Sequence, residues 1–175
     1  MELPLIKEIV IPNPPHKWTL NYKKEKFDSK GKLITHQDWY LTANLFYSDK
    51  TSYHITSKII KETKQFLYPF LKGLPELEKM ELDIIYYSMK HIDLDNKAYF
   101  FRKLILDILK TPSPRQILNA NKRGNEIITT NTIKDDDTKC ITRMSEQFFI
   151  GEHRMVLRIF GRVKDNQKSL DLFFI

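Results

Sequence analysis

The sequence predicts an α/β protein of the α+β type, with a small mixed sheet flanked by two main helices. Short segments of alternating apolar and polar residues, typical of strands, occur near both ends of the chain. Two longer segments between them repeat apolar residues at helical spacing. A length of 175 residues suffices for one domain with a sizeable core. We therefore expect residues 1–175 to form a single domain, with a polar excursion at about 111–132.

Composition favours a folded, cytoplasmic protein. The hydrophobic fraction of 41% and the aromatic fraction of 12% are too high for a disordered chain. The single cysteine, Cys140, excludes an internal disulfide framework and fits a reducing compartment. No apolar run is long enough for a membrane span, and the first residues lack the pattern of a signal peptide. We expect no association with a membrane.

Positive charge is concentrated in the second half of the chain. Residues 1–96 carry 14 Lys and Arg against 13 Asp and Glu, whereas residues 97–175 carry 15 against 9. Such an excess suits a polyanionic partner such as nucleic acid. Ordinary surface charge that maintains solubility is the alternative explanation.

The N-terminal third of the chain predicts strands. Residues 5–11 form a short apolar strand, which the PNPP segment at 12–15 ends because proline donates no hydrogen bond to a sheet. Residues 17–27 alternate in polarity, and D-S-K-G-K then supplies a turn into L-I-T-H-Q-D-W-Y. These two segments predict a hairpin.

Two helices and three more strands follow. The first helix is predicted at about 51–68, with Pro69 and Gly73 at its end. A strand at 80–89 leads into a second helix at about 96–110, which Asp95 or Asn96 would cap. The polar excursion that follows is expected to contain a small helix or a hairpin. Two final strands, K-C-I-T-R-M-S-E-Q-F-F-I and R-M-V-L-R-I-F-G-R-V, are joined by a tight G-E-H turn.

Carboxylates cluster at two places in this otherwise basic chain. Asp93 and Asp95 follow a predicted strand at positions that point to the same face, where they repel each other unless a cation lies between them. Oxygen ligands of this kind suit Mg²⁺ or Mn²⁺. A third carboxylate could come from the D-D-D run, if the strand after it lies beside the first and brings Asp136 or Asp137 to the same edge. The alternative is that both clusters are only turns and caps.

The order of these motifs resembles the RusA-type Holliday junction resolvases. A strand leads into D-L-D-N, a helix ends in L-D-I-L, and a later D-D pair precedes another strand, over roughly residues 80–163. The N-terminal strand followed by PNPP is similar as well. The resemblance implies a RusA-like, homodimeric, Mg²⁺-dependent endonuclease that cleaves phosphodiester bonds at four-way or other branched DNA junctions in recombination and repair. The family is often phage-borne.

The resemblance also implies which residues carry the activity. In that family two aspartates of the D-L-D-N motif and one of the D-D pair bind Mg²⁺. Asp93 and Asp95 match the first pair and Asp136 and Asp137 the second, so Asp137 is the expected third catalytic aspartate. Asp135 with Asp136 is the competing register.

A lysine four residues after the second aspartate assists cleavage in the family, but Tyr99 stands at that spacing here. If one helical turn is inserted before the helix core, Lys103 takes the role of this lysine, and Asp107 matches the family's helical acid. Lys97 is the other candidate.

Basic residues near the predicted site are candidates for DNA contacts, and the N-K-R-G-N segment could reach backbone phosphates. The residues are Lys90, Lys97, Arg102, Lys122 and Arg123. Ordinary surface charge is the alternative for each of them. The five histidines show no ligand spacing.

Three functions follow from this reading. The first is a structure-selective DNA endonuclease. The second is a catalytically weak or inactive protein of the same fold that binds branched DNA, which the displaced lysine suggests. The third is a non-enzymatic interaction domain whose acidic clusters are turns.

Overall fold

The chain forms two sheets and four helices in the part that the structure describes. The structure is a computed structural model that describes residues 2–47, 52–89 and 94–164, without the side chains of residues 22–24 and 94–96. The strands are β1 (Leu5–Pro12), β2 (Lys17–Phe27), β3 (Leu33–Tyr40), β4 (Leu77–Ser88), β5 (Ile141–Ile150) and β6 (Arg154–Val163). The helices are α1 (Asn44–Tyr47), α2 (Tyr53–Leu71), α3 (Leu94–Leu109) and α4 (Pro114–Arg123). The predicted mixed α+β class is confirmed.

Strand β4 is the centre of the larger sheet, whose strand order is β1-β6-β4-β5. It pairs in parallel with β5 and antiparallel with β6, and β6 in turn pairs antiparallel with β1. Its side chains Met80, Leu82 and Ile84 are buried, as expected for a central strand with neighbours on both sides. The predicted hairpin at residues 17–40 is also present, as the separate two-stranded sheet β2-β3.

The G-E-H connection does not make a hairpin. Strand β4 lies between β5 and β6, so residues 151–153 pass over the C-terminal end of β4. The backbone N–H of Gly151 donates to the carbonyl oxygen of Ser88 at 3.3 Å on the way. Two strand spacings amount to about 10 Å, which a three-residue link in extended conformation can bridge. A short link therefore predicted adjacent strands, whereas the structure inserts a third strand between them.

The two main helices agree with the prediction apart from their ends. Helix α2 continues through Pro69 to Leu71, and Gly73 with φ +80° then turns the chain towards β4. Proline is tolerated in the last turn because only one backbone hydrogen bond is lost there. The short helix α1 lacks a helical sequence pattern and was not predicted.

The core lies between the sheet and the two long helices. Helix α3 contributes a run of fully buried residues on successive turns: Phe100, Phe101, Leu104, Ile105, Ile108 and Leu109. Ile59, Leu67 and Leu71 of α2 are buried with them. The ion pair between Lys64 Nζ and Asp107 Oδ2, at 3.0 Å, joins the two helices at the margin of this core. Among the described residues, no helix is long and apolar enough to cross a membrane.

The polar excursion contains α4, and its last residues return to the C-terminal end of α3, where it began. It leaves the C-terminal end of α3, and Thr130 N–H donates back to the carbonyl oxygen of Ile108 at 2.7 Å. Ile133 then forms isolated parallel β-bridges with both Leu77 and Lys110. The helix alternative for this segment is thus confirmed, and the whole excursion is attached at the N-terminal end of β4.

Gly161 lies where the β4 and β6 backbones approach closely, so we expect Gly161→Ala to destabilise the fold. An added Cβ would lie 2.7 Å from Leu77 Cδ1 and 2.9 Å from the carbonyl oxygen of Lys79. Overpacking of this kind costs about 1–3 kcal/mol of unfolding free energy, which urea denaturation would measure. Gly151→Ala is the control, because the nearest atom to its Cβ is Tyr87 Cδ1 at 3.4 Å. Equal losses in the two variants would contradict the prediction.

Candidate active site at the end of the central strand

Four parts of the chain meet at the C-terminal end of β4. Helix α3 begins at Leu94, shortly after β4 ends at Ser88. The loop after β1, which contains PNPP, is joined to the start of β6 by a hydrogen bond of 3.1 Å from Asn13 N–H to the carbonyl oxygen of His153. Asn13 adopts a φ of +45°, a conformation that asparagine tolerates better than most residues. This loop therefore turns inward over the end of the central strand.

Leu94, Asp95 and Asn96 of the D-L-D-N motif form the start of α3 at the same end of the sheet. Asp93 and the neighbouring Lys90 lie outside the described residues. Asp95 is the second residue of α3, and its side chain is not described. The first turn of a helix has free backbone N–H groups and a positive dipole end, which stabilise a carboxylate there.

Lys97 is buried in this first part of α3. Its exposed fraction is 7%, and its Nζ donates to Nδ1 of His16. Burial lowers the pKa of Lys97 to about 8, because removal from water disfavours the charged ammonium. A lysine is rarely buried unless it has a specific partner. His16, which directly follows PNPP, provides such a partner.

His16 and His153 form a stacked pair that fixes the PNPP loop. Their ring centroids are 4.0 Å apart with an interplanar angle of 20°. His153 Nε2 lies 2.8 Å from the carbonyl oxygen of Pro14, and Nδ1 lies 3.3 Å from that of Tyr87. A neutral imidazole has a single N–H and donates to one of these oxygens, whereas the imidazolium donates to both. His153 thus ties the loop after β1 to the last residues of β4.

A further cation lies beside this pair. The guanidinium carbon of Arg154 is 4.3 Å from the ring centroid of Tyr87, which in turn stacks on Phe149 at 5.7 Å. The sequence did not reveal His16, His153 or Arg154 as site residues, since their roles depend on which loops meet over β4. The one available signal was the position of His16 directly after PNPP.

The D-D-D run lies at the opposite end of the sheet, which corrects the predicted metal cage. It precedes β5, whose residues Ile141 and Ile150 pair with Met80 and Ser88. Since β4 and β5 are parallel, Asp136 and Asp137 lie near the start of β4, about 26 Å along the strand from its other end. The structure therefore does not bring them to the D-L-D-N motif. The prediction was wrong because it required the start of the later strand to meet the end of the earlier one.

The contacts of the D-D-D run are those of a turn and an ion pair. Asp137 Oδ1 accepts hydrogen bonds from the N–H groups of Lys139 at 3.0 Å and Cys140 at 3.1 Å. Lys110 Nζ lies 2.9 Å from Asp136 Oδ1 and 3.8 Å from Asp135 Oδ1. Burial raises the pKa of Asp136, but the hydrogen bonds with Lys110 and Asp135 and the charge of Lys110 together hold that pKa below its usual value. The hydrogen bond with Asp136 also raises the pKa of Lys110.

Within one chain, Asp95 at the start of α3 does not share one metal ion with Asp136 and Asp137, because they lie at opposite ends of β4. Among the side chains that the structure describes, no group of three or more His, Cys, Asp or Glu residues could hold a metal ion. That finding concerns neither Asp93 nor the side chain of Asp95. Within one chain, a metal site at the start of α3 would therefore not include the D-D-D run.

The remaining predicted residues are scattered. Lys103 is exposed near the middle of α3, with Nζ 5.8 Å from the ring centroid of Phe46. Arg102 pairs with Glu146 of β5 at 3.1 Å. Lys122 and Arg123 are exposed in the last turn of α4. Of the two candidate lysines, Lys97 is the one that lies at the D-L-D-N end of α3.

Comparison of the chain with protein-family models, curated proteins and solved structures finds no match. The resemblance to RusA-type resolvases therefore rests on the motifs quoted above.

Proposed function

We propose that the protein is a Mg²⁺-dependent, structure-selective endonuclease that hydrolyses phosphodiester bonds in branched DNA, including four-way junctions. One observation carries the proposal. The start of α3, with Asp95 and the buried Lys97, and the loop after β1 meet at the C-terminal end of β4. Aspartates beside a lysine combine acidic metal ligands with a cation for a phosphate. Of the motifs that resemble the RusA family, the residues of D-L-D-N that begin α3 and the PNPP loop lie at this end of the sheet, whereas the D-D-D run does not.

Asp93 and Asp95 would hold the metal ion. Mg²⁺ is commonly bound by one or two protein carboxylates together with waters and substrate phosphates, so a third aspartate is not required. A bound Mg²⁺ supplies Lewis acidity and lowers the pKa of a bound water. In this proposal Asp136 and Asp137 have a structural role, as their contacts with Lys110 and the turn backbone suggest.

Lys97 would donate to a non-bridging oxygen of the scissile phosphate. Hydrolysis increases negative charge on these oxygens, and a fixed donor in a site shielded from water stabilises that charge. The hydrogen bond to His16 fixes the direction of the Lys97 side chain before substrate arrives. His153, stacked on His16, keeps the loop after β1 in place.

A homodimer would place two such sites on one junction. Strand β5 is the outer strand of the larger sheet, and no strand among the described residues pairs with its free edge. Its side chains Met144, Phe149 and Ile150 are exposed, the last with 67% of its surface. Apolar edge strands readily pair with a second chain. A dimer with two-fold symmetry, matched to a junction with the same symmetry, would make paired nicks. Such nicks would serve DNA recombination or repair in the cytoplasm.

The test is cleavage of an end-labelled four-way junction by the wild-type protein in Mg²⁺. A linear duplex of the same sequence and a reaction with EDTA serve as controls. We expect nicks at symmetry-related positions in the junction, none with EDTA, and at least about tenfold slower cleavage of the duplex, consistent with recognition of branch geometry.

Two other outcomes of this assay would each favour one of the alternative functions. Tight junction binding without nicks in Mg²⁺ or Mn²⁺ would overturn the enzymatic proposal in favour of an inactive binding protein. Neither binding nor nicking would leave an interaction domain in which both acidic clusters are turns.

A further inference from the structure

Helix α4 is stabilised almost entirely by its own ends. Ser113 caps it, because its side chain accepts from Gln116 N–H at 3.3 Å while Gln116 Oε1 accepts from Ser113 N–H at 2.8 Å. Pro114 occupies the first helical turn, where its fixed φ favours helix. Gly124 ends the helix with φ +62°, and its N–H donates to the carbonyl oxygens of Ala120 and Asn121. The local sequence therefore specifies this helix by capping.

Tertiary packing covers this helix only in part. None of its ten residues is buried, and the apolar residues Ile117 and Leu118 are 43% and 54% exposed. Isolated helices of fewer than about 12 residues are marginally stable in water. Much of this well-capped helix is therefore left accessible by the described part of the chain.

The charge of α4 indicates what that partner is. No acidic residue occurs between Asp107 and Glu126, while this stretch contains Arg115, Lys122 and Arg123. None of these three forms an ion pair with another residue that the structure describes, in contrast to Arg102, Arg143 and Arg158. A surface of unpaired cations with no acid between them is complementary to a polyanion.

The positions of the polar side chains make one continuous face. Arg115, Asn119 and Lys122 are spaced by four and three residues, so they lie on one side of the helix, with Arg123 adjacent. Cations bind backbone phosphates, and an asparagine amide can pair with the edge of an adenine in the major groove. A helix with its side chains is about 10–12 Å in diameter, which fits the major groove of about 12 Å, and ten residues extend along the groove for about 15 Å.

We propose that α4 binds a duplex arm of the DNA substrate through the face formed by Arg115, Asn119, Lys122 and Arg123. This inference rests on the proposed function and names a second contact with the same DNA. Helix α4 begins just after the C-terminal end of α3, about 24 Å from the D-L-D-N end of that helix. It would therefore hold the substrate away from the cleavage site without taking part in the chemistry.

The experiment compares two triple variants by fluorescence anisotropy over a series of NaCl concentrations. The first is Arg115→Gln/Lys122→Gln/Arg123→Gln. The second, matched in charge, is Lys7→Gln/Lys30→Gln/Lys32→Gln, which changes exposed residues of β1 and the β2–β3 turn. Loss of three phosphate contacts should reduce the slope of log K against log [NaCl] by about 2–3 and weaken binding at least about tenfold at 0.1 M salt. The matched variant should retain the wild-type slope to within about 1.

The outcomes separate this inference from the proposed function. A reduced slope only in the α4 variant supports the inference, and it does so even if the wild-type protein binds DNA without nicking it. Equal slopes in the two variants overturn the inference, while nicking by the wild type would leave the proposed function intact. A change of oligomeric state in the α4 variant with an unchanged salt slope would also overturn it, because α4 would then bind protein. Circular dichroism of both variants confirms that each remains folded.

Discussion

Asp93→Asn and Asp95→Asn are each expected to reduce junction nicking in Mg²⁺ by about 10³-fold or more, while Asp136→Asn and Asp137→Asn stay within about threefold of wild type. Asparagine keeps the size of the side chain and removes the charge that a divalent cation requires. Within one chain, the start of α3, which carries Asp95, and the D-D-D run lie at opposite ends of β4, so we expect one metal ion not to use both. The four substitutions are chemically identical, and position alone separates their effects.

The measurement is the single-turnover rate of nicking with protein in excess over labelled junction. Anisotropy with the same junction shows whether each variant still binds DNA, as we expect for all four. A thermal melt supplies the second control, because Asp136→Asn breaks the ion pair with Lys110 and should lower stability by about 0.5–1 kcal/mol. Asp136→Asn is thus expected to be less stable and still active.

Loss of activity in Asp137→Asn equal to that in Asp95→Asn, with the fold intact, would contradict this assignment. Asp137, the third metal-binding aspartate that the resemblance implies, would then have to reach the D-L-D-N motif from the D-D-D run of another subunit. Mixing Asp95→Asn with Asp137→Asn protein would test that arrangement, because a mixed dimer would regain one complete site.

Local sequence signals predicted where strands and helices lie better than they predicted which strands pair with each other. Alternation and proline positions correctly located β1 and the β2–β3 hairpin, because these depend on residues close in sequence. Strand pairing depends on contacts across the whole chain, and the alternation pattern of β5 is the same whether it runs parallel or antiparallel to β4. The correct direction of one strand pair decides whether the two acidic clusters meet or lie about 26 Å apart.

The candidate site shows the same limit. The D-L-D-N motif could be found because its two aspartates are close in sequence. His16 and His153 are 137 positions apart in the chain, and their stacking follows from a loop that closes over the sheet. Burial of Lys97 was equally invisible, since a lysine in the polar first turn of an amphipathic helix is ordinarily exposed. Composition and spacing therefore predicted a site at the D-L-D-N motif and gave no sign that His16 would contact Lys97.

Lys97→Met is expected to lower the single-turnover nicking rate by about 10²–10³-fold, the usual effect of removing one fixed donor to a developing negative charge. Methionine is unbranched and similar in length, so it can fill the space of the lysine stem. Lys103→Met on the exposed side of the same helix is the matched control and should stay within about twofold of wild type. Equal losses would favour the alternative assignment to Lys103, and an unchanged rate in Lys97→Met would remove Lys97 from the site.

Stability should change in the opposite direction to activity in Lys97→Met. An ammonium held at 7% exposure is costly to desolvate, and the partner Nδ1 of His16 replaces only part of its hydration. Replacing it with an apolar side chain should therefore leave the free energy of unfolding unchanged or raise it by up to about 2 kcal/mol, as urea denaturation would show. A lysine retained for packing would give the reverse pattern, in which the variant loses stability and keeps its rate. Loss of rate together with equal or greater stability distinguishes a residue retained for chemistry, because a buried charge that lowers stability persists where function requires it.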